Sequence, residues 1–205
     1  MRVLTQSGVG ADALGQMNSS DQPLYTHGGA NNSPNNRGID YPYGMAVDTA
    51  AHRLFVAEYN NHRVVVYALD SSNNIQSRVM TNVLGQQDMS SRVYGATESV
   101  MSSPKGLAYD VVNARLFVAD GNRVLVHNVA SITNGQNAAN VLGQVDFTTT
   151  ASATTQSGVY IAVGVAYDAA NARLFVAEYF NSRVLVHNVS SITNGQNAAN
   201  VLGQA

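Results

Sequence analysis

The segment Val124–Gln144 reads VLVHNVASITNGQNAANVLGQ, and the segment Val184–Gln204 reads VLVHNVSSITNGQNAANVLGQ. The two segments differ at a single position, where Ala130 corresponds to Ser190. An internal repeat this well preserved indicates that the chain is built from similar structural units that follow one another along the sequence.

A third copy of the repeat lies upstream of these two segments. The pentapeptide RLFVA starts at Arg53, Arg115 and Arg173, so the copies begin 62 and 58 residues apart. Each copy opens with a G-x-A-x-D segment, and together the copies cover most of the 205 residues. The three opening segments are Gly44–Asp48, Gly106–Asp110 and Gly164–Asp168.

Within each copy the apolar runs have the length of strands rather than of helices. In the middle copy they read GLAYD, RLFVAD, RVLVHNV and ANVLGQ. The first connection, Val111–Ala114, has four residues, and the second, Gly121–Asn122, has two. Connections this short join antiparallel neighbours. The sequence therefore predicts an all-β fold of four-stranded antiparallel units, which in tandem form the blades of a β-propeller.

The N-terminus matches the second half of a copy. Residues Arg2–Thr5 correspond to the third run and Ala13–Gln16 to the fourth, which predicts the outer strands of an incomplete blade at 2–16. The whole segment 1–205 then holds about three and a half blades, whereas closed rings have about four to eight. We expect either that a second copy of the chain closes the ring or, as the interpretation we favour, that the chain is a piece of a longer protein. The three predicted blades span 17–86, 87–144 and 145–204.

The first copy resembles the NHL repeat family of β-propellers. The resemblance rests on Pro42–Asp48, which reads P-x-G-x-A-x-D, on Leu54–Glu58, and on the Asn-His-Arg-Val segment Asn61–Val64. It implies an NHL- or TolB-like ring, usually of about six blades, that serves as an interaction platform. Some relatives of similar shape are metal-dependent lyases or lactonases, and some bind RNA.

The composition excludes several kinds of site and partner. Cys is absent, which rules out disulfides, thiolate metal sites and cysteine nucleophiles. Charged residues make up only 12%, about half of the usual share of roughly 25%, and the net charge is -2. Lys105 is the single lysine, so we expect no nucleic-acid partner. No apolar run approaches the roughly 18 residues of a membrane span, so we expect no membrane insertion.

The abundance of Asn and the scarcity of Lys favour a bacterial protein that is secreted or displayed at the cell surface. The stretch His27–Asp40 is rich in Gly, Asn and Pro and belongs to the longest linker, so it is either a binding loop or a tolerated insertion.

The candidate binding residues fall on one face of the predicted blades. In a four-stranded blade, the connection between the second and third strands and the linker to the next blade emerge on the same side. That side carries Tyr59, Asn60 and His62 in the first copy and Tyr179 and Phe180 in the third. Exposed aromatic side chains are frequent anchors at interfaces. We therefore predict a non-enzymatic scaffold that binds a protein or a glycan, with the three aromatic residues exposed.

Repeated acidic residues provide the alternative hypothesis. In each copy an acid ends the second strand and an arginine begins the third, which favours an ion pair across the connection. If the acids instead converge on a central channel, they could hold a divalent cation for a hydrolase or lyase. The acids are Glu58, Asp120 and Glu178, and the arginines are Arg63, Arg123 and Arg183.

No catalytic motif is present. The sequence lacks HExxH, G-x-S-x-G, P-loop and dinucleotide-binding patterns, so it predicts neither a catalytic residue nor a cofactor. His127 and His187 share a repeat position with Tyr67, which indicates a half-buried filling role rather than a metal site.

Overall fold

The computed structural model describes residues 2–4, 10–26, 28–31 and 33–203. These residues form fourteen strands and no helix, and therefore contain no helix able to span a membrane. The strands are β1 (Arg2–Leu4), β2 (Gly10–Ala13), β3 (Pro42–Asp48), β4 (Arg53–Glu58), β5 (Arg63–Ala68), β6 (Asn82–Leu84), β7 (Pro104–Asp110), β8 (Arg115–Asp120), β9 (Arg123–Asn128), β10 (Asn140–Leu142), β11 (Ala162–Asp168), β12 (Arg173–Glu178), β13 (Arg183–Asn188) and β14 (Asn200–Leu202).

Twelve of the strands form three antiparallel sheets of four strands each. We call β3–β6 the first sheet, β7–β10 the middle sheet and β11–β14 the last sheet. In every sheet the strands follow one another in chain order, because each connection joins direct neighbours. The register is also shared, since Phe55 lies opposite Val66 and Phe117 lies opposite Val126. The structure confirms the all-β fold and the four-stranded antiparallel blades.

The sheets stand side by side through their first strands, with β7 between β3 and β11. The glycines of the first two G-x-A-x-D segments permit this close approach. A Cβ atom at Gly44 would lie 2.2 Å from the carbonyl oxygen of Lys105, and one at Gly106 would lie 2.7 Å from the Cα of Gly164. Only glycine fits between backbones at this distance, so these glycines set the spacing between neighbouring sheets.

Two apolar cores fill the spaces between the sheets, and a third lies on the outer side of the first sheet. The core between the first and middle sheets includes Phe55, Val66, Leu84, Leu116 and Leu125. The core between the middle and last sheets includes Phe117, Val126, Leu142, Leu174 and Leu185. Since alternate residues of one strand enter different cores, each middle strand is apolar on both faces.

The N-terminal pair of strands overlaps the predicted segments only in part. β1 pairs with β2 so that Arg2 lies opposite Ala13, and β2 ends at Ala13, the first residue of the predicted strand Ala13–Gln16. Leu14 instead leaves the ladder and packs with Ile39 in the third core. The strand therefore ends earlier than predicted. Thr5, the predicted end of the first of these strands, lies outside the described residues.

Both outward faces of the three-sheet array carry exposed apolar side chains. On the last sheet, Val201 is 47% exposed and Leu202 is 52% exposed. At the opposite end, Tyr43, Met45 and Val47 of β3 are also exposed. The array therefore presents a partly uncovered sheet face at each end.

Candidate functional site

The turns between the second and third strands lie against the linkers on a single face, which we call the loop face. The side-chain amide of Asn60 donates to Asp40 at 3.3 Å, and that of Asn122 donates to the carbonyl oxygen of Thr150 at 2.9 Å. The loop face thus contains both the turns and the linkers, which the sequence predicted to lie on one side of the blades. Its turns are 59–62, 121–122 and 179–182, and its linkers are 17–41, 87–103 and 145–161.

A buried ion pair fixes each turn, which confirms the predicted pairing of Glu58 with Arg63, of Asp120 with Arg123 and of Glu178 with Arg183. The guanidinium of Arg123 donates to Asp120 at 2.7 and 2.9 Å. Since these groups are almost completely buried, each pair has to satisfy its remaining hydrogen-bonding capacity inside the protein.

The linkers supply those remaining hydrogen bonds. Asp120 accepts from the backbone amides of Ser102 and Ser103 at 2.8 and 2.6 Å. Arg123 in turn donates to the carbonyl oxygens of Val100 and Phe147. Each ion pair therefore anchors linker backbone as well as its own turn, and gives the loop face a rigid base.

The same bonding argues against a shared cation site at the three acids. Glu58 accepts from the amide of Asp40 at 2.9 Å, and Glu178 accepts from the amide of Tyr160 at 2.7 Å. Burial raises the pKa of Glu58, and the charge of Arg63 opposes this effect. No group of three or more His, Cys, Asp or Glu side chains that could hold a metal occurs among the described residues. The structure does not bring the three acids together.

The two predicted aromatic residues of the last sheet are exposed and pack against each other. Phe180 lies between Tyr160 and Tyr179, with ring centroids 4.7 and 4.9 Å away. Tyr179 is 65% exposed and Phe180 is 58% exposed. We call these three residues the aromatic cluster.

Backbone geometry holds the aromatic cluster in place. The amide of Tyr179 donates to the carbonyl oxygen of Ile161 at 2.9 Å. Ile161 has a φ of 57°, a conformation that β-branched residues rarely adopt and that often accompanies functional sites.

On the first sheet, the prediction of an exposed Tyr59 is wrong. Tyr59 is half-buried beneath Tyr43, whose ring centroid is 5.5 Å away, and beneath Lys105, whose Nζ lies 5.1 Å from the ring centre. Tyr43 and Lys105 belong to first strands and cover the turn from the side. Asn60 is likewise half-buried. This part of the loop face therefore presents Tyr43 rather than Tyr59.

His62 connects its turn to the following linker. Its Nδ1 lies within hydrogen-bond distance of the carbonyl oxygen of Ser102, and its ring contacts the edge of Tyr94 at a centroid distance of 5.2 Å. Burial lowers the pKa of His62. Tyr94 itself is 70% exposed and was missed by the sequence analysis, although it is the single aromatic residue of linker 87–103.

The repeated Leu-Gly-Gln tripeptide also has a role that the sequence analysis missed. The side-chain amide of Gln86 donates to the carbonyl oxygen of His62 at 2.9 Å, and that of Gln144 donates to the carbonyl oxygen of Asn122 at 2.7 Å. Each glutamine thus ties the end of a fourth strand to the turn of the same sheet. The glutamine recurs in every copy, and this recurrence could have indicated its structural role.

The nearly identical SITNGQNAAN loops dock on the outer strand of the preceding sheet. Asn134 accepts from the backbone amide of Val83, and Asn194 accepts from that of Val141, both at 3.0 Å. The two loops perform the same task at two successive junctions. Their identity therefore has a structural reason.

The two histidines at the shared repeat position are more buried than predicted. His127 and His187 are both 0% exposed, and neither ring nitrogen of either residue has a hydrogen-bond partner in the described part of the chain. Burial lowers the pKa of each imidazole to about 4. They fill the cores as neutral side chains and contribute nothing to the loop face.

The long first linker lines a cavity of about 640 Å³ through residues such as Asn31, Asn35 and Arg37. His27 and Asn32, which belong to the stretch considered as a binding loop, lie outside the described residues. The described part of this linker is polar, as its composition predicts.

Comparison with known proteins supports the fold. The NHL repeat family matches residues 40–67. No curated protein matches the chain. Among solved structures, that of U3-55K has a TM-score of 0.53 and 14% identity, covering 83% of this chain and 44% of that one. The WD40 repeats of RRP9 also give 0.53 and 14%, covering 84% and 43%. A chain of a nidogen/laminin complex gives 0.46 and 12%, covering 82% and 49%.

The chain thus spans less than half the length of each of these three structures. At such low identity the two comparisons with TM-scores above 0.5 inform on fold alone. They agree with the three four-stranded sheets described above. The chain contains an NHL repeat at residues 40–67 and is built from β-propeller blades.

Proposed function

We propose that this chain is a non-enzymatic interaction scaffold that binds a protein partner through its loop face. The observation that carries the proposal is the aromatic cluster, in which Tyr179 and Phe180 stay exposed while stacked and anchored to the backbone of Ile161. Large, rigid aromatic side chains lose little conformational entropy on binding and dominate the energetics of many interfaces.

The ion pairs at the base of the loop face favour a neutral interface. The three acid–arginine pairs are buried and mutually neutralised, so they contribute little net field at the surface. Lys105, the one lysine, lies over the ring of Tyr59. A partner would therefore be selected by shape and apolar contact more than by charge.

The experiment compares partner capture by three forms of the protein. Wild type, the double variant Tyr179→Ala/Phe180→Ala and the double variant Val111→Ala/Val112→Ala are immobilised and exposed to the same extract, and captured proteins are quantified by mass spectrometry. Val111 and Val112 are exposed apolar residues in the connection between β7 and β8, and serve as the matched control.

We expect a specific protein to be retained by wild type and by the control and to lose affinity about 30-fold with the aromatic variant, as for an interface hot spot of about 2 kcal/mol. Equal capture by all three forms would contradict the proposal.

We further propose that a second copy of the chain covers the open face of the last sheet at high protein concentration. The two copies together would form a ring of about six blades. The open face repeats the apolar residues that the middle sheet buries against a neighbour, since Phe175 and Leu202 correspond to Phe117 and Leu142. The exposed side chains of β3 offer the complementary surface. Light scattering should give a mass near twice 21.7 kDa that falls on dilution. A mass of 21.7 kDa at every concentration would contradict this part.

A further inference from the structure

A cleft of about 450 Å³ opens on the loop face between the turn of the middle sheet and the linkers on either side of it. The turn of the middle sheet has only two residues, Gly121 and Asn122, whereas the turns 59–62 and 179–182 have four. The short turn, Ile161 immediately before β11, and Tyr94 all line the cleft. The volume is that of a small-molecule site, which ranges from roughly 300 to 1,000 Å³.

The side of the cleft at the short turn is held rigidly. The side-chain amide of Asn122 donates to the carbonyl oxygen of Thr150 at 2.9 Å and accepts from the backbone amide of Ile161 at 2.9 Å. The carbonyl oxygen of Gly121 accepts from the amide of Ala162 at 2.8 Å. The turn is thus bonded to two points of linker 145–161 and to the first residue of β11, so this side of the cleft is preorganised and a ligand would not have to order it.

The groups that remain available to a ligand are hydroxyls and one aromatic ring. The hydroxyls of Tyr94, Ser103 and Thr150 line the cleft and have no hydrogen bond within the described part of the chain. Ser102 donates its hydroxyl to Asp120 at 3.1 Å and keeps its oxygen as an acceptor. Hydroxyls both donate and accept, so this lining can bond to other hydroxyl groups.

Among the described residues, the charged side chains that line the cleft are both paired. Asp120 and Arg123 contribute to the lining, but each bonds to the other and to linker backbone. An anionic ligand such as a phosphate would need a free cationic donor, and the guanidinium of Arg123 already donates to carbonyl oxygens. The cleft therefore suits a neutral, polar ligand.

We propose that this cleft binds a neutral saccharide of one or two rings, stacked on Tyr94 and bonded to the hydroxyls of Ser103 and Thr150. A sugar ring combines an apolar face of C–H groups with a rim of hydroxyls, which matches an exposed aromatic ring beside a hydroxyl-lined wall. The site uses none of the residues of the aromatic cluster, so the proposal stands independently of the protein partner proposed above.

Saturation-transfer NMR and calorimetric titration test the cleft with four neutral disaccharides: maltose, cellobiose, lactose and N,N′-diacetylchitobiose. Glucose 6-phosphate serves as the charged comparison. The variants are Tyr94→Ala, which removes the stacking ring, and Ser103→Phe, which fills the cleft. The controls are Tyr43→Ala, an exposed tyrosine outside the cleft, and Tyr179→Ala/Phe180→Ala. Thermal melts confirm that every variant is folded.

We expect at least one neutral disaccharide to bind wild type more tightly than glucose 6-phosphate does. Tyr94→Ala should weaken that binding about tenfold, Ser103→Phe should abolish it, and both controls should retain it. The proposal is overturned if none of the four disaccharides binds, if glucose 6-phosphate binds more tightly, or if binding survives both cleft variants. Equal protein capture by wild type and by Tyr179→Ala/Phe180→Ala, together with intact sugar binding, would refute only the proposed protein interface.

Discussion

The middle and last sheets have nearly the same sequence but different surroundings. RLFVA, RVLVHN and NVLGQ occur in both, and both form the same four strands in the same register. Yet Leu142 is fully buried in the middle sheet, whereas its counterpart Leu202 is 52% exposed. Strand formation and pairing are therefore encoded within a copy, whereas burial of a sheet face depends on the neighbour that covers it.

The ion pairs at the opposite end of the strands show the same contrast. Asp110 and Arg115 of the middle sheet have side chains 0% and 16% exposed, and the pair lies 2.6 Å apart. The equivalent Asp168 and Arg173 of the last sheet are 26% and 47% exposed at 2.8 Å. A neighbouring sheet thus shields a pair whose geometry is local. The following variants test which effects are set within one copy and which are set by the neighbouring sheet. The free energy of unfolding is measured by chemical denaturation at a concentration where the chain is a monomer of 21.7 kDa.

The largest difference is expected for the repeated phenylalanine. Phe117→Ala removes a fully buried ring between two sheets and should lower the free energy of unfolding by about 4 kcal/mol. Phe175→Ala removes a partly exposed ring and should cost less than about 2 kcal/mol. Equal losses would mean that the face of the last sheet is covered in solution even at low concentration.

The buried arginines of the loop face should behave alike in both sheets, because their partners are local. Arg123→Leu and Arg183→Leu each leave a buried carboxylate without its cation, and each should cost about 3 kcal/mol. Urea titrations of the two variants provide the comparison. A cost for Arg183→Leu below about 1 kcal/mol would show that the neighbour, rather than the linker backbone, sets the strength of this pair.

Acidification should destabilise the protein through His127 and His187, whose pKa values of about 4 lie below the ordinary 6.5. Above pH 6.5 both imidazoles are neutral whether the chain is folded or unfolded. Between pH 6.5 and about 4 the unfolded chain binds more protons, so stability falls, by on the order of 2 kcal/mol for each histidine.

The double variant His127→Phe/His187→Phe should flatten this part of the pH profile, measured as the urea midpoint from pH 7 to pH 4. Each single variant should remove about half of the slope, because His187 faces the covered side of the last sheet. An unchanged slope in the double variant would assign the acid sensitivity to other groups.

The smallest expected difference concerns the second set of ion pairs. Arg115→Met should cost about 1 kcal/mol, and Arg173→Met should cost less than about 0.5 kcal/mol because solvent screens the more exposed pair. Both arginines also lie over a phenylalanine ring at 5.6 to 5.8 Å, and methionine keeps part of that contact. A larger loss of unfolding free energy for Arg173→Met than for Arg115→Met would contradict the claim that a neighbouring sheet strengthens this ion pair.

The features that the sequence predicted correctly are those encoded within one copy. The strands follow from short apolar runs between turn residues, and the pairing of Glu58 with Arg63 follows from their position across a tight turn. The repeat marks the glycine of each G-x-A-x-D segment, but the reason for Gly44 and Gly106, the approach of the neighbouring first strand, required the arrangement of the sheets.

The features that it missed depend on segments distant in the chain. Tyr59 was expected to be exposed, but Lys105, which lies in another copy, covers it. The cleft beside Asn122 depends on the paths of two linkers that have little sequence in common. Neither a periodic pattern nor a residue spacing in the sequence indicates these contacts.

Residue-resolved hydrogen exchange by NMR tests the role of the neighbouring sheet most directly. Asn140–Leu142 and Asn200–Leu202 have the same sequence and the same flanking residues, so their intrinsic exchange rates are equal. At a concentration where the chain is monomeric, we expect amides of β14 to exchange at least about tenfold faster than those of β10, because only β10 is covered by a following sheet. Equal protection of the two strands would contradict the claim that burial of a blade face is set by its neighbour.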